Sequence, residues 1–280
     1  MKTTKIWLGV GVAVVAGVSS AAQADRLDLL NSTSVSSPAT QSIVVAQAIR
    51  GEGGENESGE SGEGGVDAAA ADKDPVKYGI ALQVIAAHYY AGLAAYEAGE
   101  KTAGTQMFAH GFAEVYAEME EVFKKRGVND LGAKIEAAIA TANKNAPASE
   151  VRKIVEAVQA ALATAEKAGP KSALSPLAVK AQVVADLVDR AAAQYVLTRK
   201  KNSTLETYLD GLGFALAART EAAKILPELE KTNAAAAKAI RAALDLASSA
   251  YPGIKRGTPV ETGKFLAAAS NARIAAANLR

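Results

Sequence analysis

The sequence predicts an all-α fold, an up-and-down antiparallel bundle of about eight helices. From residue 74 onward, apolar residues recur at helical spacing, and no stretch has the alternation or the Asn-Gly turns of a sheet. Alanine supplies 64 of the 280 residues, so most of the 49% hydrophobic content is small side chains, typical of close helix packing rather than of a membrane bundle. The chain has no Cys, which excludes disulfides, thiol catalysis and Cys-ligated metal clusters.

The N-terminus has the pattern of an export signal. A basic start with Lys2 and Lys5 precedes an apolar run over residues 6–18, and Ala22-Gln23-Ala24 fits the signal-cleavage rule. The run is shorter than the roughly 20 residues that a spanning helix needs. We therefore expect residues 1–24 to be removed and the protein to be periplasmic or secreted, with no membrane-spanning segment after processing.

Residues 25–73 are predicted to form a flexible acidic arm. The tract over residues 51–65 has five Glu, no basic residue and no bulky apolar residue, so burial cannot offset the entropy of ordering it. Residues 25–71 carry eight acids and two bases, whereas residues 72–280 carry 22 acids and 27 bases. We expect the arm to make salt-sensitive contact with the basic bundle, or to compete with an anionic partner for it.

Capping residues and prolines mark the helix starts. Proline follows a capping residue at Asp74-Pro75, Ser175-Pro176 and Thr258-Pro259, and the stretch from Ser203 to Glu206 has the pattern of a capping box. Glycine and proline mark the stops. The predicted helices cover residues 75–98, 101–126, 130–144, 149–167, 176–199, 204–230, 233–250 and 259–278. Pro227 is expected to kink or divide the sixth helix.

The eight helices are predicted to form two four-helix halves, residues 74–169 and 170–280. Pro75 and Pro176 lie 101 residues apart, and each opens a long helix. His88 and Asp189 share the same offset. An internal duplication would produce this pattern, and so would chance matches in an alanine-rich chain.

Both histidines of the chain fall on the first two predicted helices and form the core of a candidate metal site. Met107, His110 and Glu114 share one stripe of the second helix, while His88 is on the inward face of the first. Each histidine lies about 11 residues from the turn between these helices, so antiparallel packing places both at a similar height.

The donor types leave the metal open. Imidazole suits copper, zinc or iron, a carboxylate favours iron or zinc, and a thioether favours copper. The alternative is structural: His110 and Glu114 would form an ordinary ion pair, Met107 would fill the core, and His88 would bond a tyrosine hydroxyl.

A second, carboxylate-rich cation site is predicted at Asp186, Asp189 and Asp210. The first two lie three residues apart on one helix, and Asp210 lies on the next. The alternative is a solvated set of surface charges with Arg190 and Arg219 as partners.

Two stretches resemble known families. The first half resembles a pattern of exported bacterial helical proteins through His88-x3-Gly92-x3-Tyr96-x2-Gly99-Glu100, then Met107-x2-His110-Gly111-x2-Glu114-x-Tyr116. In those proteins a histidine stands where this chain has Met107, a departure that weakens the case for iron or zinc and leaves copper open. The second half is similar to the periplasmic helical modules joined to bacterial iron permeases, and more loosely to imelysin-like proteins, through Glu206-Thr-Tyr208-Leu-Asp210-Gly-Leu-Gly213-Phe214. The resemblance implies a periplasmic bundle that handles metal, in particular iron.

Three functions follow as hypotheses. The first is an iron- or copper-binding protein of the periplasm without catalytic chemistry, because the chain has no G-x-S-x-G, dinucleotide-binding or P-loop motif. The second is a non-enzymatic scaffold that contacts an envelope protein or a membrane transporter. The third is a binder of heme or another small ligand between the two halves. We expect no nucleotide and no nucleic-acid partner.

Overall fold

Local capping chemistry sets most of the helix bounds in the computed structural model, which describes residues 65–280. Asp74 accepts hydrogen bonds from the amides of Val76 and Lys77, and Ser175 accepts one from Ala178. The described residues form nine helices and no strand: α1 Ala68–Ala71, α2 Pro75–Glu97, α3 (Lys101–His110, the π-helical Gly111–Tyr116 and Ala117–Lys125), α4 Leu131–Asn143, α5 Ala148–Glu166, α6 Pro176–Thr198, α7 Leu205–Thr232, α8 Ala234–Ala250 and α9 Thr262–Ala277. The predicted all-α bundle of about eight helices is confirmed.

Helix α1 lies where the flexible arm was expected to continue. Asp67 caps this single turn, Ala71 is fully buried, and Asp72 forms ion pairs with Lys125 and Arg126 at the end of α3. The last residues of the predicted arm are therefore held against the bundle by an apolar contact and two ion pairs. The predicted signal peptide, residues 1–24, and the acidic tract up to residue 64 lie outside the described residues.

Pro227 was expected to kink or divide its helix, and the structure shows that it does not divide it. Helix α7 continues through Pro227 to Thr232. Pro227 is exposed, while Ile225, Leu226 and Leu229 are buried. The carbonyl that loses its hydrogen bond to proline therefore lies on the solvent side, where water can bond it, while the buried face stays packed.

Helix α9 begins three residues later than predicted. The hydroxyl of Tyr195 on α6 accepts a hydrogen bond from the Val260 amide at 2.7 Å and lies 3.2 Å from the Val260 carbonyl. These bonds fix the chain just after Pro259 outside a helix. The helix starts at Thr262, behind Glu261.

Helix α2 is the central element of the bundle. It packs against α3, α5, α6 and α7, so both halves of the chain contact it, and the described residues 65–280 belong to one compact unit. Helices α2 and α6 both have 23 residues and both begin with proline. The duplication itself stays a prediction.

Within the described part of the chain, no helix has the length and apolar character to cross a membrane.

Candidate metal centre

Two glycines bring three helices together at His88. A Cβ on Gly111 of α3 would lie 3.1 Å from the Cβ of His88, and a Cβ on Gly213 of α7 would lie 2.5 Å from the carbonyl oxygen of Ala87. Neither neighbour leaves room for a side chain at ordinary contact distance. Helices α3 and α7 therefore both approach α2 closely at the level of His88, which brings Glu114 of α3 and Asp210 of α7 near its ring.

The second of the two imidazoles lies where α3 changes its winding. Gly111–Tyr116 is a π-helix directly after His110, and it carries Glu114. The predicted stripe of Met107, His110 and Glu114 assumed regular α-helical spacing, which the wider π turn changes. π segments inside α-helices are frequent at functional sites. No residue pattern in the sequence indicated this one.

The structure brings three of the predicted ligands together. Glu114 places Oε2 3.6 Å from His88 Nε2 and Oε1 3.6 Å from His110 Nδ1. Ligand atoms of all three residues lie within 4.8 Å of one another, and among residues 65–280 this is the one group of three or more His, Asp or Glu side chains arranged so. Two atoms bound to one ion at about 2.1 Å are at most about 4.2 Å apart, so the cluster needs only a slight contraction to hold a metal.

The remaining nitrogen of each ring faces a hydrogen-bond acceptor. His88 Nδ1 is 2.8 Å from the carbonyl oxygen of Val84, which can only accept, so Nδ1 carries the proton and Nε2 keeps its lone pair. His110 Nε2 is 3.0 Å from Oε1 of Glu206 on α7, which favours a proton on Nε2 and a lone pair on Nδ1. Metal-binding histidines in proteins are typically held in this way by a carbonyl or a carboxylate.

Glu206 is the site residue that sequence reasoning missed. Its position in the expected capping box assigned it to the start of its own helix. In the structure, Thr204 caps α7 by accepting from the Thr207 amide, and Ser203 bonds the Thr198 carbonyl instead. The Glu206 carboxylate is thus available to His110. The signal that could have revealed this is that Thr204 also suits the capping position.

Burial and charge act in opposite directions on the two central groups. Burial alone would lower the pKa of His88, but the Glu114 carboxylate, the charge of Asp210 and the Val84 carbonyl outweigh burial and raise this pKa above its ordinary 6.5. Burial alone would raise the pKa of Glu114, but the two imidazoles outweigh it and lower this pKa below 4.5. In the metal-free protein, a proton on His88 is therefore stabilised by Glu114.

This coupling predicts how the stability of the metal-free protein depends on pH. Protonated His88 stabilises the fold fully below pH 6.5, and this contribution is lost as the pH rises through the raised folded-state pKa. Ionised Glu114 stabilises the fold above pH 4.5, and its contribution is lost as the pH falls through the lowered folded-state pKa. We expect the free energy of unfolding, measured with urea and a chelator, to be higher at about pH 5.5 than at about pH 8. The difference should shrink in Glu114→Gln; an unchanged difference would contradict the coupling.

Met107, the fourth predicted ligand, is buried one turn before His110. Together with Glu206 and Leu209 it lines a small cavity of about 210 Å³ between α3 and the start of α7. Met107 stays a candidate ligand.

The three aspartates of the predicted second site have other partners. Asp186 accepts a hydrogen bond from Arg190 at 2.7 Å, and Asp189 accepts one from Arg273 at 2.7 Å. Asp210 acts on His88, which associates it with the first site. The geometry of the described residues gives the second site no support, and we do not propose it.

Comparison of the chain with models of protein families, with curated proteins and with solved structures finds no match. The resemblance to iron-permease modules and to imelysin-like proteins therefore stays a prediction.

Proposed function

We propose that the protein binds one transition-metal ion, iron or copper, through His88, His110 and Glu114, and captures or delivers it without bond-making chemistry. The observation that carries this proposal is the convergence of two buried imidazole nitrogens and one carboxylate on a common point. In each ring, the nitrogen nearer Glu114 keeps its lone pair, because the other nitrogen carries the proton and donates it to Val84 or Glu206.

A plain ion pair accounts less well for this arrangement. Both contacts from Glu114 to the imidazoles are 3.6 Å, longer than a good hydrogen bond. Buried polar groups normally form close hydrogen bonds, because leaving them without a partner costs about 1–3 kcal/mol. A cation held between the carboxylate and the two rings would satisfy all three groups at once. A proton on His88 competes with this cation for the same nitrogen, so metal binding should release protons.

The donor set supports iron or copper as cargo. Two neutral imidazoles and a carboxylate suit iron or zinc, and Met107 beside His110 adds a soft donor that suits copper(I). Three protein ligands leave coordination positions open, as a site that must take up and release an ion requires. The Glu114 side chain is 28% exposed, so it offers the cluster a contact with solvent.

A matched pair of variants tests the role assigned to Glu206. Glu206→Gln should weaken metal affinity about 10–100-fold, because a neutral amide holds the His110 proton less well than a carboxylate does. Glu228→Gln changes an exposed glutamate of the same helix and should leave affinity unchanged. Competition titration with a chromophoric chelator measures both. Equal affinities in the two variants would show that Glu206 does not support the centre.

The proposal as a whole is tested by titrating the metal-free protein with copper(I), iron(II) and zinc(II) under anaerobic conditions. One copper or iron ion bound per chain supports the proposal, and tight binding of neither copper nor iron would overturn it. In that case the scaffold hypothesis would take its place. Export and a partner in the cell envelope remain proposals based on residues 1–24 and on the acidic arm.

A further inference from the structure

A further cavity lies at the start of α2 and is separate from the histidine cluster. The first turns of α2 and α6, the end of α5 with its following loop, and the middle of α7 enclose a cavity of about 440 Å³. Its walls are largely apolar and include Tyr78, Leu82, Leu174, Val179 and Val183. This volume lies within the range of small-molecule sites, which combine apolar walls with a few polar groups. None of the candidate metal ligands lines it.

Among the charged side chains that line this cavity, Glu221 is the buried one. The residue is only 5% exposed and lines the cavity. Its Oε1 accepts a hydrogen bond from Lys224 at 2.5 Å. The Lys224 side chain is 51% exposed, so water screens its charge. The charge of this largely buried carboxylate is therefore only partly balanced by Lys224, and a cation inside the cavity would balance it further.

We propose that this cavity binds a small apolar amine, whose ammonium group donates to Glu221 while its hydrocarbon part packs against Tyr78 and the aliphatic walls. The buried charge decides the class of ligand, because charges interact more strongly where water is excluded. The lysines of the cavity lie at its rim: Lys171 is exposed, and Lys180 forms an ion pair with Glu166 at 3.0 Å. A carboxylic acid would therefore meet only screened or paired lysines outside, and the Glu221 carboxylate would repel it inside.

Three ligands that share one hydrocarbon part test this assignment: 4-phenylbutylamine, 4-phenylbutanol and 4-phenylbutanoate. We expect the amine to bind at least about tenfold more tightly than the other two, since only the ammonium group can form a charge-assisted hydrogen bond with Glu221. Methyl NMR of the purified protein measures the affinities. It also locates the ligand, because the methyl groups of Leu82, Val179 and Val183 should shift.

Two variants separate charge recognition from simple burial of the ligand. Glu221→Gln should weaken amine binding at least about tenfold and leave alcohol binding unchanged, and it strands no buried charge because Lys224 is half exposed. Glu228→Gln, on the solvent side of the same helix, should change neither. The proposal is overturned if the acid or the alcohol binds as well as the amine, if Glu221→Gln leaves amine affinity unchanged, or if the amine causes no shift of these methyl groups up to its solubility limit.

Discussion

Replacing His88 and His110 together by alanine is expected to abolish stoichiometric metal binding. Only Glu114 of the converging group would remain, and a single partly exposed carboxylate competes poorly with water for an ion. The loss should be at least about 10³-fold in affinity, because removing even an outer partner of a metal ligand typically costs 10–100-fold. Elemental analysis of protein purified from its own compartment, together with titration of the metal-free protein, measures the loss.

The control for this experiment must separate loss of ligands from loss of fold. Both histidines are buried, so the alanine variant also creates cavities, whereas His88→Gln with His110→Gln keeps polar side chains of similar size. Far-ultraviolet circular dichroism and the urea midpoint check the fold of each variant. A second pair compares Glu114→Gln with Glu121→Gln, which changes a side chain 85% exposed on the same helix. If a folded double-histidine variant still bound one ion per chain, the proposed centre would be wrong.

The sequence predicted the helices well because their bounds depend on neighbouring residues. Asp74 and Ser175 cap the helices that follow them through hydrogen bonds that span only two or three residues, so a local pattern was enough. The errors arise where a distant residue intervenes. Tyr195, 65 residues before Val260, fixes the chain ahead of α9. Pro227 is tolerated because packing on the buried face of α7 holds the helix.

The candidate site was likewise predictable only where its residues lie on neighbouring helices of the sequence. His88 and His110 could be placed at one height because they lie on consecutive helices equally far from one turn. Glu206 and Asp210 come from α7, almost 100 residues later, and only the packing of α7 against α2 and α3 places them near the histidines. The sequence therefore assigned Asp210 to a different site and Glu206 to a helix cap. It also could not reveal the π turn at Glu114, which is a feature of winding rather than of composition.

The packing of α7 against α2 can be tested directly at Gly213. Gly213→Val should lower the free energy of unfolding by about 3 kcal/mol or more, at the upper end of the usual cost of overpacking. Even the Cβ atom added at position 213 would lie 2.5 Å from the carbonyl oxygen of Ala87, a backbone atom that cannot rotate away. Replacing glycine inside a helix would otherwise gain up to about 1 kcal/mol from helix propensity. A net loss in Gly213→Ala as well would therefore show that the contact outweighs the propensity.

The matched control is Gly263→Val on α9, where the added Cβ meets only the flexible end of the Glu261 side chain. This variant should leave the free energy of unfolding within about 0.5 kcal/mol of the parent value, as for an ordinary surface substitution. Because α7 also carries Glu206, moving it away from α2 should withdraw that carboxylate from His110. Any folded Gly213 variant should then bind metal about as weakly as Glu206→Gln does. Parent-like metal affinity in a destabilised Gly213 variant would mean that the close approach of α7 stabilises the fold without contributing to the metal centre.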